Sequence, residues 1–136
     1  MFESSGILKY DPLPNTKHFE PNWALLLLSD DVAAYYAWHM KKFGIEIDPH
    51  NLWGTHISVI KGDEVDPVLW KKYDGFEVKF HYTHLVRYDN GKHAWVDVYS
   101  EDLSEIRKEL GLEPKRWFHL TVGKLKRPFT AVGGYW

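Results

Sequence analysis

The sequence predicts a single α+β domain in which two similar halves each combine strands with a helix. Apolar residues make up 44% of a 136-residue chain, which is enough for a substantial core. Helical and strand-like patterns alternate along the chain. Each half also has the same order: an apolar strand, a capped helix ended by glycine, and a strand that begins with a histidine motif. No linker-like segment interrupts this order, so residues 1–136 are predicted to form one domain.

The first half begins with a proline-containing segment. Residues 1–22 hold three of the seven prolines and no periodic pattern, so an irregular lead-in is predicted. Trp23–Leu28 is an apolar run of strand length, typical of a central strand buried on both faces. Ser29–Asp31 favour a helix start, and the helix is predicted to end at Gly44. A strand is then predicted over Leu52–Ile60.

The second half is predicted to begin with a short helix and a hairpin. Pro67 after Asp66 is typical of a first helical turn. Strands are predicted over Phe76–Tyr88, with a bulge near Phe80, and over His93–Tyr99. The Asn90-Gly91 pair between them favours a tight type I′ turn.

A second helix and a last strand complete the prediction. Ser100 is a favourable N-cap, and Gly111 is a favourable terminator. The apolar stripe of this helix consists of Leu103, Ile106 and Leu110. The last strand is predicted over Arg116–Leu125.

Composition limits the classes of partner and cofactor. The net charge is −2 and there is no cysteine, so neither a thiolate metal site nor a Cys nucleophile is present. A protein that binds long duplex nucleic acid is usually strongly basic, so such a partner is not expected. No apolar run has the length of a membrane span, and no secretion signal is visible, so a cytoplasmic protein without a membrane partner is predicted. The sequence does not determine the oligomeric state.

Two short motifs carry the functional prediction. They are His56-Ile57-Ser58-Val59 and His119-Leu120-Thr121-Val122, each with a lysine five residues after its histidine. Because strand side chains alternate, each His shares a face with the hydroxyl two residues later. If the two strands are neighbours, two imidazoles and two hydroxyls meet on one patch.

Such a patch suits the cleavage of a phosphodiester. One imidazole can take a proton from the attacking oxygen while the other protonates the leaving oxygen. Hydroxyl groups, here Ser58 and Thr121, can hold the non-bridging phosphate oxygens. No metal or other cofactor is needed for this chemistry, and none is expected.

Other arrangements of histidine are also present. His81-Tyr82-Thr83 is a third match to the short pattern, but it lacks the aliphatic middle residue and the following valine. His84 is predicted to lie opposite Asp97, which would form a His-Asp pair, although no nucleophile elbow accompanies it. A metal site of His81, His84 and His93 is disfavoured because the first two alternate in face.

The duplicated motif resembles that of the 2H phosphoesterase superfamily, over roughly Trp23 to Leu125. This superfamily includes RNA 2′,5′-ligase-like proteins, cyclic nucleotide and 2′-5′ oligoadenylate phosphodiesterases, and small phage proteins. The resemblance implies a bilobal fold of two pseudo-symmetric β-α-β lobes with mainly antiparallel sheets and a central cleft. It also implies that His56 and His119 are catalytic and that Ser58 and Thr121 bind phosphate. Ser58 stands where Thr is commoner in the family.

Aromatic residues are candidates for contacts with a base. The predicted hairpin register places Tyr82 opposite Tyr99 and Val86 opposite Trp95, so that Tyr82, Trp95 and Tyr99 share one face. Trp117 shares a face with His119 in a regular strand. Stacking of a base on such a ring contributes about 1–3 kcal/mol.

The remaining candidates are two lysines and the terminal aromatics. Lys61 and Lys124 have the wrong parity for the histidine face in straight strands, although they can reach phosphate where the strands end. Tyr10 and Tyr135-Trp136 are candidates for closing over a ligand, but no pattern positions them.

The leading hypothesis is a metal-independent two-histidine phosphodiesterase. Its predicted substrates are small nucleotides or short oligonucleotides: 2′,3′-cyclic phosphates, 2′-5′ linkages or cyclic di- and oligonucleotide signals. One alternative is a non-catalytic nucleotide- or RNA-binding module that sequesters its ligand. Another is a structural domain whose histidine strands are ordinary half-buried edges. The sequence does not say which histidine is the acid and which is the base.

Overall fold

The computed structural model describes residues 2–12, 17, 22–48, 55–63, 65–89 and 93–126. Within these ranges the chain forms seven strands and two helices, and neither helix is long and apolar enough to span a membrane. The elements are β1 (Phe2–Tyr10), β2 (Trp23–Leu27), α1 (Asp31–Lys41), β3 (Ile47–Asp48), β4 (His56–Lys61), β5 (Glu77–Tyr88), β6 (His93–Tyr99), α2 (Glu101–Glu109) and β7 (Phe118–Leu125).

The strands form one antiparallel sheet that closes into a barrel. Their order is β3-β7-β4-β2-β1-β5-β6, and β6 also pairs with β7, which joins the two sides of the sheet. The expected α+β class with mainly antiparallel strands is therefore confirmed. The expected division into two lobes is not, because the paired strands run continuously from one half of the sequence into the other.

The sheet has a core face that carries both helices. Ile57 of β4, Leu120 of β7 and Val96 of β6 are fully buried on this face. They belong to one apolar cluster with Met40 of α1 and Leu103 of α2. Burial of this kind is the main stabilising contribution in a domain of this size. The opposite face, here called the site face, carries the polar side chains of the two motifs next to the buried Trp23 and Leu25.

Local sequence signals predicted several elements correctly. β2 is buried on both faces, as its apolar run indicates. Ser100 caps α2 by accepting a hydrogen bond from the Leu103 backbone N–H at 3.2 Å. Gly111, which follows α2, has a φ of 81°, a left-handed conformation that glycine adopts without strain.

Two predictions about elements are wrong, and one short strand was not predicted. Residues 1–22 are not wholly irregular, because Phe2–Tyr10 forms β1 and its alternating Leu8 and Tyr10 side chains enter the core. The prolines that suggested a lead-in begin only at Pro12, after this strand. The two-residue strand β3 carries too short a pattern to predict. Asp66 and Pro67 begin a series of turns rather than a helix.

The predicted register of the hairpin is also wrong. The backbone N–H of Asp89 donates to the His93 carbonyl at 3.0 Å, so residues 90–92, outside the described residues, lie between this pair. Val86 consequently faces Val96 rather than Trp95. The register shifts again between Tyr82 and Val86, where a bulge was predicted slightly earlier, and Tyr82 faces Val98.

Candidate active site

The two histidine motifs lie on neighbouring antiparallel strands. β4 and β7 are joined where Ile57 faces Leu120, and both of these side chains are fully buried on the core face. Side chains one residue to either side of this pair point to the site face. Antiparallel pairing then puts His56 beside Thr121 and Ser58 beside His119, so each histidine is next to the hydroxyl of the other motif. We call these four side chains the crossed pairs.

The first motif strand contains a β-bulge after its hydroxyl. Ala24 of β2 faces Ile60, whereas the next residue, Leu25, faces Ser58. Val59 is therefore an extra residue on β4, and both Val59 and Ile60 are buried. A bulge of this kind bends the strand and reverses the facing of every later residue.

The second motif strand contains a bulge at the equivalent position. Ala94 of β6 faces Gly123, whereas Trp95 faces Thr121, so the extra residue is Val122. Glycine at 123 is required by close packing, because a Cβ there would lie 2.2 Å from the backbone oxygen of Asp48 on β3. Both bulges thus occur at the valine of the His-aliphatic-hydroxyl-Val motif.

These bulges reverse the predicted facing of the two lysines. Lys61 lies opposite Trp23, and its Nζ is 4.9 Å from the centre of the indole ring. Lys124 lies opposite His93, which alternates with Trp95 on the site face. The expectation of wrong parity assumed straight strands. The structure instead places both lysines on the site face.

Trp23 is a site residue that the sequence did not reveal. Its side chain is 1% exposed, its indole N–H donates to the Ser58 Oγ at 3.4 Å, and its ring meets the His56 ring edge-on at 6.2 Å. With the Lys61 contact, one indole touches three site side chains. Because Trp23 opens an apolar run, it was interpreted only as core, and the β2–β4 register was needed to place it.

The start of β4 is held by a short polar clamp. Thr55 is buried, and its backbone N–H and hydroxyl both donate to Asp30 Oδ1, at 3.0 and 2.8 Å. These two hydrogen bonds, the backbone one first, lower the pKa of Asp30. Since Thr55 immediately precedes His56, this clamp fixes where the first catalytic candidate leaves the loop. Asp30 thus serves β4 rather than capping α1 with its side chain.

The bulge in β4 is held by a buried arginine of α2. Arg107 is only 4% exposed. Its Nη1 donates to the Val59 carbonyl at 2.8 Å, and its Nε donates to the Glu113 carbonyl at 2.9 Å. Asp63, just beyond β4, lies 3.6 Å from the same guanidinium. The irregular carbonyl that the bulge creates is therefore satisfied by a charged donor.

His119 lies in an asymmetric environment on the β6 side. Its ring stacks on Trp95 with centroids 5.1 Å apart, and its Nε2 is 3.7 Å from Asp97 Oδ1. Asp97 Oδ2 accepts from Arg87 Nη1 at 3.0 Å. The predicted partner of Asp97 was His84, and the shifted hairpin register is the reason why Arg87 and His119 take that place.

The pKa of His119 is lowered below the ordinary value of 6.5. Partial desolvation is the largest cause, although 59% of the side chain remains exposed. Arg87 and Lys115 lower the pKa further, whereas Asp97 opposes them by stabilising the imidazolium. His119 is therefore biased toward the neutral form, which is the form that can accept a proton.

Two more of the predicted aromatic contacts lie beside His119. Trp117 precedes it by two residues and meets Tyr99 edge-on, with ring centroids 6.2 Å apart. Both rings line an open pocket of about 820 Å³ that also includes Lys115 and Arg116. Tyr99 and Trp117 thus lie together toward the Lys61 end of the site face, whereas Trp95 lies opposite Thr121, on the Lys124 side of His119.

Tyr82 and Tyr10 do not join this group. Tyr82 lies beside Phe80 and Tyr36 on the core face, because the hairpin register differs from the predicted one. Tyr10 is buried on the same face and packs edge-on against Trp70 at 4.8 Å. Burial raises the pKa of Tyr10 to about 12. Tyr135 and Trp136 lie outside the described residues.

The histidine cluster considered as a metal site does not form. In the part of the chain that the structure describes, no three His, Cys, Asp or Glu side chains are grouped so that they could hold a metal ion. His81 lies 3.2 Å from Glu3 Oε2 instead, and His93 interacts with Asp89.

Comparison with known families identifies the superfamily of the chain. The family model described as "Swiss Army Knife, 2H phosphoesterase domain" matches residues 32–128, which include both motif strands, α2 and all of α1 except Asp31. No curated protein and no solved structure matches the chain. The match covers well over half of the 136 residues, and the chain belongs to the 2H phosphoesterase superfamily.

Proposed function

We propose that this protein is a metal-independent phosphodiesterase that cleaves ribose 2′-linked or cyclic phosphodiesters with His56 and His119. The observation that carries the proposal is the crossed pairing of two His-hydroxyl motifs on adjacent strands. Membership of the superfamily supports a phosphodiesterase-type activity. The substrate class and the roles of individual residues are the proposal's own.

The reaction needs one base and one acid on opposite sides of the phosphorus. The base takes the proton from the attacking oxygen, either a ribose hydroxyl or a water. That oxygen forms a bond to phosphorus while the bond from phosphorus to the leaving oxygen breaks. The acid gives its proton to the leaving oxygen, so no charge is left on either product oxygen.

We assign the base to His119 and the acid to His56. The lowered pKa of His119 keeps it neutral at a pH where an ordinary imidazole is partly protonated. Asp97, 3.7 Å from Nε2, then stabilises the positive charge that develops when His119 accepts the proton. His56, on the other motif strand, then donates its proton to the leaving oxygen.

Ser58 and Thr121 are proposed to donate to the non-bridging phosphate oxygens. Each lies beside a histidine in the crossed pairs. In the transition state, negative charge builds up on the non-bridging oxygens of the phosphate held between the two histidines. Trp95, Tyr99 and Trp117 are proposed to stack on a base next to the scissile phosphate. Tyr99 and Trp117 line the open pocket two residues from His119, and Trp95 stacks on the His119 ring.

The test is product analysis with a panel of 2′,3′-cyclic nucleotides, cyclic dinucleotides and 2′-5′ oligomers, read by mass spectrometry. Both His56→Ala and His119→Ala are expected to lower kcat by about 10²–10⁴-fold, the contribution of one acid or base. Activity is expected to survive EDTA. His81→Ala is the matched control, since this third motif histidine pairs with Glu3 on another strand.

Two outcomes would overturn the proposal. Loss of activity in EDTA, restored by a metal ion, would contradict the metal-independent mechanism. Tight nucleotide binding without any product, with the affinity unchanged in His56→Ala, would show the non-catalytic binding module instead.

A further inference from the structure

The two β-bulges place one lysine at each end of the crossed pairs. Along the site face the order is Lys61, the Ser58–His119 pair, the His56–Thr121 pair and Lys124. Each lysine is two ladder steps from the nearest hydroxyl, because the bulge residue adds no step. At a strand rise of about 3.3 Å per residue, this separation is about 7 Å.

Neither lysine lies in a purely basic environment. The open pocket at the Lys61 end contains Lys115 and Arg116, but Glu101 and Glu105 line it as well. Lys124 is exposed, and Asp48 lies directly opposite it on β3. A comparable contribution to anion binding is therefore expected from each lysine.

An anion-binding group on each side of a phosphodiester site indicates a ligand with further phosphates on both sides. A terminal 2′,3′-cyclic phosphate has neighbours on one side at most, and a cyclic mononucleotide has none. An internal linkage of an oligonucleotide has one neighbour in each direction. Because Ser58 and Thr121 hold the same phosphate and lie two ladder steps apart, each lysine is three steps, about 10 Å, from the midpoint between them. The flexible lysine side chain can reach back over part of this distance to a phosphate one nucleotide from the scissile one.

We propose that Lys61 and Lys124 bind the phosphates on either side of the scissile one, so that the preferred substrate is an internal linkage of an oligonucleotide. This inference rests on the proposed function for its catalytic part. It adds a substrate class that the two histidine motifs do not specify.

The test compares a 2′-5′-linked adenylate dimer with the tetramer of the same linkage. The dimer has only the scissile phosphodiester, whereas the central linkage of the tetramer has a neighbour on each side. We expect kcat/KM to be about 100-fold higher for the tetramer, roughly tenfold for each charged contact. We also expect chromatography to show dimers as the first products.

The lysine variants identify the source of that preference. Lys61→Met and Lys124→Met are each expected to lower kcat/KM for the tetramer by up to about tenfold, and to lower kcat/KM for the dimer by a clearly smaller factor. Lys108→Met is the matched control, because Lys108 is exposed on α2, which packs against the opposite face. Lys108→Met removes the same charge and is expected to leave kcat/KM unchanged for both substrates.

Equal rates for dimer and tetramer, or equal losses on both substrates in the lysine variants, would overturn this inference while leaving the phosphodiesterase intact. So would cleavage of 2′,3′-cyclic mononucleotides alone. Loss in Lys108→Met equal to that in Lys61→Met would show an effect of net charge and would also overturn it.

If no linkage is cleaved, the proposed phosphodiesterase function is wrong. The phosphate contacts of Lys61 and Lys124 are then tested by binding alone. Fluorescence anisotropy of a labelled tetramer is then measured as a function of salt. Each lysine variant is expected to reduce the slope of log affinity against log salt by about 0.7, the contribution of one single-strand phosphate. An unchanged slope in both variants would contradict the inference.

Discussion

Among single residues, Asp97 has the greatest influence on the protonation of His119. It holds Arg87 with one carboxylate oxygen and lies 3.7 Å from His119 with the other. Its negative charge raises the pKa of His119, whereas Arg87 and the desolvation beside Trp95 lower it. Desolvation therefore lowers the pKa of the proposed base most, and Asp97 and Arg87 adjust it in opposite directions.

The acidic limb of the kcat/KM profile is expected to lie below pH 6.5, because the pKa of His119 is lowered from that value. Asp97→Asn removes the charge that favours the imidazolium, so the limb is expected to move to lower pH. Arg87→Gln removes a charge that disfavours it, so the limb is expected to move to higher pH. NMR titration of the His119 ring measures the same shifts without activity. Shifts in the opposite direction would contradict the assignment of His119 as the base.

The motif residues were open to prediction from the sequence, whereas their neighbours were not. His56, Ser58, His119 and Thr121 are identified by a duplicated four-residue pattern that needs no tertiary information. Trp23 lies more than thirty residues before Ser58 and is joined to it only by the β2–β4 register. No local pattern carries that information.

At the level of elements, the bulges determine which side chains reach the site. The two motif strands have the same pattern of buried and exposed side chains. In both, the hydroxyl residue is followed by two successive buried residues. The sequence contains the lysines at equal spacing, but the assumption of straight strands assigned them to the wrong face. Bulges depend on cross-strand contacts, which is why periodicity alone did not reveal them.

Arg107→Met is expected to destabilise the protein by about 2–4 kcal/mol, because it leaves the buried Val59 carbonyl and the part-buried Glu113 carbonyl without their donor. It is also expected to weaken the contribution of Lys61, since Val59 is the bulge residue. Denaturant unfolding measures the first effect. A double-mutant cycle with Lys61→Met, assayed on the tetramer well below the unfolding temperature, measures the second. Additive losses in that cycle would show that Arg107 acts on stability alone.

Gly123→Ala is expected to lower stability by more than about 1 kcal/mol, because the added methyl would overlap the Asp48 backbone oxygen. Since β3 or β7 has to move, Lys124 should also be displaced from the site face. The measurement is the unfolding midpoint together with kcat/KM for the tetramer. A stability equal to wild type would show that β3 does not pack against β7 as described.

At the level of the whole molecule, stability and the proposed chemistry occupy opposite faces of one sheet. The free energy of unfolding of the double variant His56→Ala, His119→Ala is expected to lie within about 0.5 kcal/mol of the wild-type value, because neither side chain contributes to the core. Ile57→Ala, on the adjacent buried position, is expected to cost about 2–5 kcal/mol. A large loss of stability in the double histidine variant would contradict the division into two faces.

Closure of the sheet was beyond prediction from the sequence. The order of strands and helices was largely correct, because capping residues, glycines and apolar runs are local signals. β6, however, pairs with β7 as well as with β5. This second pairing depends on how all seven strands are arranged, and no local sequence signal indicates it. The two similar halves of the sequence therefore predicted two lobes where the structure has one closed sheet.

The crossed pairs have a consequence for the direction in which a nucleic-acid strand can lie on the protein. An approximate two-fold axis passes between Ile57 and Leu120 and exchanges the two motifs together with their lysines. A strand and its reverse therefore meet nearly the same groups at the centre of the site. Polarity has to come from the flanking strands, with Trp23 on one side and Trp95 and Asp97 on the other. A substrate bound backwards would occupy the site without reacting, and such non-productive binding lowers kcat and KM by the same factor while leaving kcat/KM unchanged.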